Sequence, residues 1–275
     1  MSPGQAFPRA LGIVIPTLNA ARFLPATLLS IAELVDCGAK AVAVDGGSTD
    51  ETLQICRDER IEVLHESQRG LYTALNAGFR HLATPWMTWI NSDDMLLPSG
   101  MLSYLPAIEQ ADIHYGTVDY VDADGRFLHS WQSGKPSRLL ALYRSGCSPL
   151  LQQGTIFRRE VFEQLGGFDE SLKYVADADF WWRAAEAGFR FRRLAHPTVA
   201  CFRLHQGQLS QEHAKAMSEE HAQMVVRRTG RSRSCKFSLV AFRYRLGNLG
   251  RYMVRGLRRK DVTGQFSLPR SYDVP

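Results

Sequence analysis

Short unbroken apolar runs alternate with longer stretches of helical period through the first third of the chain. Residues 11–15 (LGIVI), 39–44, 61–64 and 86–90 (WMTWI) have the length and composition of buried strands. Between the first two, Phe23, Leu24, Leu28, Ile31, Leu34 and Val35 recur at helical spacing over 21–35, and Gly38 closes that helix. A second helix is expected to start at Ser48 or Thr49, where acidic residues follow the hydroxyls, and a third to cover 71–82. This alternation predicts an α/β fold with a parallel sheet and crossover helices. The second half is less regular. It reads as a helix over 101–110, strands at 114–121 and 126–131 around an Asp-Ala-Asp-Gly turn, and a short strand at 155–157. Helices over 159–165 and 178–187, one or two strands within 191–204, and helices over 211–228 and 237–258 complete the pattern.

With 275 residues, 45% hydrophobic and 22% charged, the chain has room for one large domain and an appendage. The Ser/Arg-rich link at 229–234 is the best boundary, giving a domain over 1–230 and a basic helical tail over 231–275. The net charge of +5 is concentrated there: residues 222–260 contain no Asp or Glu. Within the tail, Arg243, Arg245, Arg251, Arg255, Arg258, Arg259 and Lys260 interleave with apolar residues. Over 236–260 this pattern suits either a helix packed on the domain or an amphipathic helix lying on anionic lipid. No nucleic-acid recognition motif accompanies the charge, so no nucleic-acid partner is expected. The five cysteines form no CxxC pair, the first residues lack the pattern of a signal peptide, and no apolar run is long enough to span a bilayer. A cytoplasmic protein is expected, with a peripheral place at the inner membrane face left open.

The chemistry begins where the fourth strand ends. The run WMTWI stops at Asn91-Ser92-Asp93-Asp94, and the C-terminal ends of strands are where open α/β sheets place their ligands. Neighbouring residues on an extended chain point to opposite sides, so Asp93 and Asp94 divide two tasks between them. One suits a sugar or ribose hydroxyl; the other suits a hard cation beside a diphosphate. A turn with Asp as a helix N-cap accounts for the same letters, since Leu97-Pro98 follows.

Four segments in order, VIPTLN, VDGGSTDET, NSDD and GGFDESLKYVADADFWWR, resemble the family 2 glycosyltransferases, over about residues 10–210. The resemblance implies the GT-A fold: a Rossmann-like, mostly parallel sheet flanked by helices, with a donor half over about 10–110, an acceptor half over about 111–210, and here a C-terminal helical extension. It also implies an inverting, metal-dependent enzyme that moves a sugar from a nucleoside-diphosphate donor, UDP-sugar above all, to a carbohydrate or lipid-linked acceptor in polysaccharide or glycolipid assembly. The site residues it implies are these. Asp45 accepts a hydrogen bond from the base, with Pro16, Thr17 and Asn19 lining the same pocket, and Arg69 offsets diphosphate charge. Asp93 binds ribose or sugar hydroxyls, and Asp94 coordinates Mn²⁺ or Mg²⁺, with His205 completing the metal shell. Asp177 is the base, and Gln153 and Trp181 are acceptor contacts. The family's acidic residues are replaced by Gln68, Asn91 and Ala176. Those departures keep open a sugar-nucleotide-binding protein that has lost transfer, and the tail keeps open a basic adaptor for membrane or nucleic acid. Binding of UDP without turnover marks the first; salt-sensitive surface binding without UDP marks the second.

Overall fold

A computed structural model describes residues 9–67, 70–230, 239–247 and 249. The first half is built from strand–helix units: β1 (Leu11–Thr17), α1 (Leu24–Asp36), β2 (Lys40–Asp45), α2 (Thr52–Asp58), β3 (Glu62–His65), α3 (Leu71–His81) and β4 (Trp86–Trp89). These strands lie side by side in the order β3-β2-β1-β4 and are all parallel. Every residue of β1 and of β4 is buried, because helices cover both faces of the sheet; continuous apolar runs are what such strands need. The side chain of Gly78 in α3 is missing for a packing reason: a Cβ there would stand 2.5 Å from a Val14 methyl carbon.

Past β4 the chain turns at residues 91–94 and enters β5 (Met95–Leu96), α4 (Pro98–Leu102) and a 3₁₀ segment (Leu105–Gln110). The hairpin β6 (Ile113–Val121) and β7 (Phe127–Gln132) follows, then α5 (Leu139–Arg144), β8 (Ile156–Arg158) and α6 (Arg159–Leu165). Helix α7 (Ala176–Glu186), β9 (Phe191–Arg203), α8 (Leu209–Glu212), α9 (Ala214–Thr229) and α10 (Leu239–Gly247) complete the described elements. One nine-stranded sheet runs β3-β2-β1-β4-β8-β6-β9-β5, with β7 paired to β6. The parallel sheet expected from the strand–helix alternation is present in the first half. The second half is mixed: β8 is antiparallel to β4 and β6, while β6 is parallel to β9.

Four local expectations change. The helix expected over 101–110 is broken, because Pro106 interrupts the hydrogen-bond ladder and Ala107 has non-helical φ of −131°. The helix expected from Ser48 or Thr49 begins at Thr52, and Asp50 accepts the Thr52 amide at 3.0 Å. Ser48 and Thr49 serve the loop instead. The helix expected from 178 begins at Ala176, which places Asp177 in its first turn. The helix expected over 211–228 divides at His213 into α8 and α9. The two-residue β5 and the six-residue α5 carry no periodic signal long enough to announce them.

Two cores sandwich the sheet. One, around Phe79, Trp89, Phe157, Phe168 and Trp181, joins α3, α6 and α7 to one face; the other, around Leu11, Ile13, Leu28 and Tyr104, joins α1 and α4 to the opposite face. Of the tail, α10 lies near α5: Ala241 is buried with Leu142 and Cys147. The remainder of the basic tail lies outside the described residues, as does Arg69.

Helix α4 approaches β9 so closely that a Cβ on Gly100 would meet the Thr198 carbonyl oxygen at 2.0 Å and the Val199 Cα at 2.7 Å. Backbone cannot step aside as a flexible side chain can. Gly100→Ala should therefore lower stability by about 3 kcal/mol, the upper part of the overpacking range, read as a lower urea midpoint at unchanged m-value.

Candidate functional site

The loops at the C-terminal ends of β1, β2 and β4 lie on one edge of the sheet, where the strand order switches between β1 and β4, the position at which open α/β sheets form their ligand crevice. The first two loops are laced together. The Asn19 carboxamide oxygen accepts the Thr49 amide at 2.8 Å, the Asn19 amide donates to the Ser48 hydroxyl at 2.9 Å, and the Gly46 amide donates to the Thr17 carbonyl at 3.0 Å. Asn19 holds φ of 50°, a left-handed conformation that asparagine tolerates. Asp45 is 1% exposed, and its Oδ2 takes the amides of Gly47 and Ser48 at 2.9 and 3.0 Å, while the Ser48 hydroxyl donates to Oδ1. Pro16 and Thr17 are buried within β1, and the Thr17 hydroxyl donates to the Val44 carbonyl. Of the residues expected around a base, Asn19 is the one whose side chain is exposed.

The two aspartates at the end of β4 do diverge, but the inward one is Asp94. It is 0% exposed. Its carboxylate accepts the Gln153 amide nitrogen at 3.0 Å, the Arg203 backbone amide at 2.9 Å and the Asn91 carboxamide at 3.3 Å. Burial pushes the Asp94 carboxyl well above the usual range, and the neighbouring Asp93 adds to this; those three donors oppose it. Asp93 turns the other way. Its Oδ2 lies 2.9 Å from the Nε2 of His205, a residue 112 positions later in the chain. That contact raises the His205 pKa above its ordinary value. The Asp93 side chain remains 23% exposed. His205 also packs on Phe23 at the entry to α1, with ring centroids 4.4 Å apart.

Gln153, expected as an acceptor contact, is 3% exposed and committed through its nitrogen to Asp94. Trp181, expected as a second acceptor contact, is 0% exposed and stacks on Trp89 at 5.7 Å; it is core, not surface. Several buried polar atoms around this floor have no hydrogen-bond partner among the described residues: Asn91 Oδ1, Gln153 Oε1, both amide atoms of Gln152, Trp181 Nε1 and the Tyr143 hydroxyl. Unpartnered buried atoms of both donor and acceptor kind cost free energy unless a bound molecule or water meets them.

Asp177 projects from the first turn of α7, half-buried, and accepts the Tyr72 hydroxyl at 3.0 Å. Burial raises its pKa, opposed by the Ala178 amide and Tyr72. The approach to α7 is held from α9: Glu220 accepts the amides of Lys173, Tyr174 and Val175 at 2.7, 2.6 and 3.1 Å. Arg203 is a further site residue that sequence reasoning passed over. Its guanidinium donates to the Asp93 and Ala123 carbonyls at 2.9 and 2.8 Å and lies over Phe23. Its only sequence signal is position, on the same strand face as His205 would continue.

Among the described residues, no three His, Cys, Asp or Glu side chains converge as a ready-made metal cage, and no helix is long and apolar enough to cross a membrane. Two carboxylate–imidazole pairs lie along this edge among the described residues: Asp45–His65 at 4.0 Å, and the closer Asp93–His205 at 2.9 Å; hard or borderline divalent cations accept both ligand types.

The model of the family described as glycosyl transferase family 2 matches residues 12–166. The "PGL/p-HBAD biosynthesis glycosyltransferase" of Mycobacterium tuberculosis is 32% identical over 200 residues, covering 69% of this chain and 75% of that one. Among solved structures, S. aureus TarS 1-349 in complex with UDP-GlcNAc aligns with a TM-score of 0.59 at 18% identity, covering 83% of this chain and 76% of that one. Glucosyl-3-phosphoglycerate synthase from Mycobacterium tuberculosis, in complex with Mn²⁺, UDP and glucosyl-3-phosphoglycerate, aligns with a TM-score of 0.57 at 17% identity, covering 84% of each chain. The fold is the mixed α/β, GT-A architecture of those enzymes, and this chain belongs to glycosyl transferase family 2.

Proposed function

We propose that this glycosyltransferase moves a sugar from a UDP-sugar to an acceptor hydroxyl with inversion, and that Asp93 and His205 together hold its divalent cation. The observation that carries the reading is the 2.9 Å meeting of Asp93 and His205, two residues remote in sequence, at the strand ends. It exchanges the roles expected of the two aspartates: Asp94 becomes the sealed support and Asp93 the ligand. A cation bound there supplies charge neutralisation to a departing diphosphate. Mg²⁺ and Mn²⁺ bound by so few protein ligands would commonly fill the rest of their shell from substrate phosphate and water.

The chain's own residues do the rest. The Asn19–Thr49 and Asp45–Ser48 contacts pre-form a loop pair for the nucleoside, and the base N–H reaches Asp45 Oδ1 where Ser48 now donates. Unpartnered Asn91, Gln152 and Gln153 amide atoms give the sugar hydroxyls donors and acceptors inside an otherwise apolar floor. Asp177 takes the acceptor proton as the new bond forms at the anomeric carbon, and its raised pKa makes it a better base than an exposed aspartate. Support for UDP and Mn²⁺ comes from the structurally similar complexes of TarS with UDP-GlcNAc and of glucosyl-3-phosphoglycerate synthase with Mn²⁺ and UDP. A carbohydrate or lipid-linked acceptor is favoured by the glycosyltransferase relative and by α10, whose Leu239 and Leu246 are more than half exposed beside Arg243, a face suited to anionic lipid.

Calorimetric titration with UDP, with and without Mn²⁺, tests the donor site. Asp93→Ala should abolish the Mn²⁺-dependent part of UDP binding while leaving stability within about 1 kcal/mol of wild type. Asp94→Ala should instead cost about 3 kcal/mol of stability, because it strands buried donors from Gln153, Asn91 and Arg203. The opposite pattern, a stable Asp94→Ala that alone loses the metal effect, would return the ligand role to Asp94. Asp177→Asn should retain UDP binding and lose UDP-sugar turnover by about a thousandfold, within the range a positioned general base supplies. Preference for GDP over UDP would overturn the donor.

A further inference from the structure

Tyr72 is buried, 4% exposed, one residue into α3, and 105 positions from Asp177 in the chain. Its hydroxyl is the side-chain group that reaches the Asp177 carboxylate, at Oδ1; no other side-chain hydrogen bond to that carboxylate is made among the described residues. The ring cannot easily swing away. It stacks on Phe168 at 5.8 Å, and Phe168 is itself pinned by Asn76, which donates to its carbonyl and accepts its amide, both at 2.9 Å. Asn76 is 1% exposed and sits one turn along the same helix as Tyr72. The phenol and the latch that holds it are thus one rigid unit of α3, set against the segment that leads into α7.

We infer that Tyr72 is a positioning residue for sugar transfer: its hydroxyl occupies Oδ1 of Asp177, fixes the carboxylate plane and leaves Oδ2 to face the acceptor. The inference rests on Asp177 being the base. In the step itself the acceptor O–H bond breaks, its proton goes to Oδ2, the acceptor oxygen bonds to the anomeric carbon, and the diphosphate leaves with the electron pair of the broken C–O bond. Tyr72 keeps its own proton throughout; burial and the Asp177 charge push its ionisation well above the ordinary value for a phenol. The other titratable groups around Asp177 do not compete for this task. Tyr143 from α5 is buried and neutral, its ionisation likewise raised by burial and by Asp177. Glu220 from α9 is occupied by backbone amides, and Asp179 is bridged by Arg183 and Arg228. A donor to the charged form stabilises the carboxylate, so its removal should raise the pKa of Asp177.

The test is Tyr72→Phe, which keeps the ring and its stacking. UDP release from UDP-glucose and UDP-GlcNAc, with water as acceptor, should fall about 10- to 100-fold in kcat/KM, the worth of one hydrogen bond to a charged group, while UDP affinity is unchanged. The acidic limb of the pH profile should move up by about one unit. The same shift should appear without turnover in a carboxyl-carbon NMR titration of labelled aspartate, with the Asp177 resonance identified by its absence from Asp177→Asn. An unmoved Asp177 midpoint in Tyr72→Phe overturns the role of Tyr72. Asp177→Asn that still turns over UDP-sugar within tenfold of wild type overturns the base itself, and with it this inference. If Tyr72→Phe fails to fold, incorporation of 3-fluorotyrosine gives a more acidic hydroxyl, which must lower the same midpoint; a midpoint that stays or rises overturns the role.

Discussion

A carboxylate that water cannot reach has to be held by the protein's own donors, and Asp94 is such a group at the seam of this fold. Its partners come from three places: Asn91 in its own turn, Gln153 ahead of β8, and the backbone of Arg203 at the end of β9. Its carbonyl oxygen accepts the Thr27 hydroxyl of α1 at 2.8 Å. One residue therefore joins the parallel half of the sheet, the mixed half and the first helix. Satisfying the buried charge requires β9 to be in register beside β5, and that register is what delivers Arg203 and then His205 to the crevice. The site is assembled as a by-product of solving an electrostatic problem one residue away.

The same constraint decides what Asp93 can do. Residues 91–94 form a turn closed by the Asp94 amide on the Asn91 carbonyl at 3.0 Å, and that turn sends Asp94 inward and leaves Asp93 facing outward. There it meets His205, while Arg203 holds the Asp93 carbonyl from behind. The guanidinium brings positive charge close to both aspartates, which lets two carboxylates coexist in consecutive positions. The carboxylate left available for the proposed cation is the one the fold does not use as a strut.

Much of this was legible in advance, for identifiable reasons. The strands at 11–17 and 86–89 are buried along their whole length and that at 40–45 from Val42 onward, so their apolar runs stand out in the sequence. Although a turn at 91–94, not a strand, separates Asp93 and Asp94, that they differ follows from the residue pattern. Which of them faces inward does not, because that direction is set by Gln153 and Arg203, 59 and 109 positions away. Arg203 looked like one more basic residue in RLHQGQLS, and nothing local marks it as the partner of a carbonyl in the NSDD turn. Trp181 misled in the other direction. An aromatic one turn beyond the base suggests a sugar platform, but the position is also where α7 packs on β4, and there the stack on Trp89 wins. Helix breaks at Pro106 and His213 were hidden because apolar spacing continues across them while the hydrogen-bond ladder does not.

Ala176 can be reconsidered in the same physical terms. It is 0% exposed, so a carboxylate at that position would be buried beside Asp177 and would need donors of its own. Helix α7 starts without a side-chain hydrogen bond from its N-cap residue, with Asp177 and Asp179 in its first turn. The anion that meets the amides just before it is Glu220, brought in by α9 from beyond the residues that the family model matches. Arg228, farther along α9, then bridges Asp179 and Glu186 on α7 at 2.6 and 3.2 Å. Helix α9 thus holds the start of α7 at two points, one on the amides that lead into the helix and one on the Asp179 carboxylate in its first turn. Negative charge at the start of α7 thus comes from Glu220 as well as from the helix's own first turn, and α9 becomes part of what holds Asp177, the proposed base.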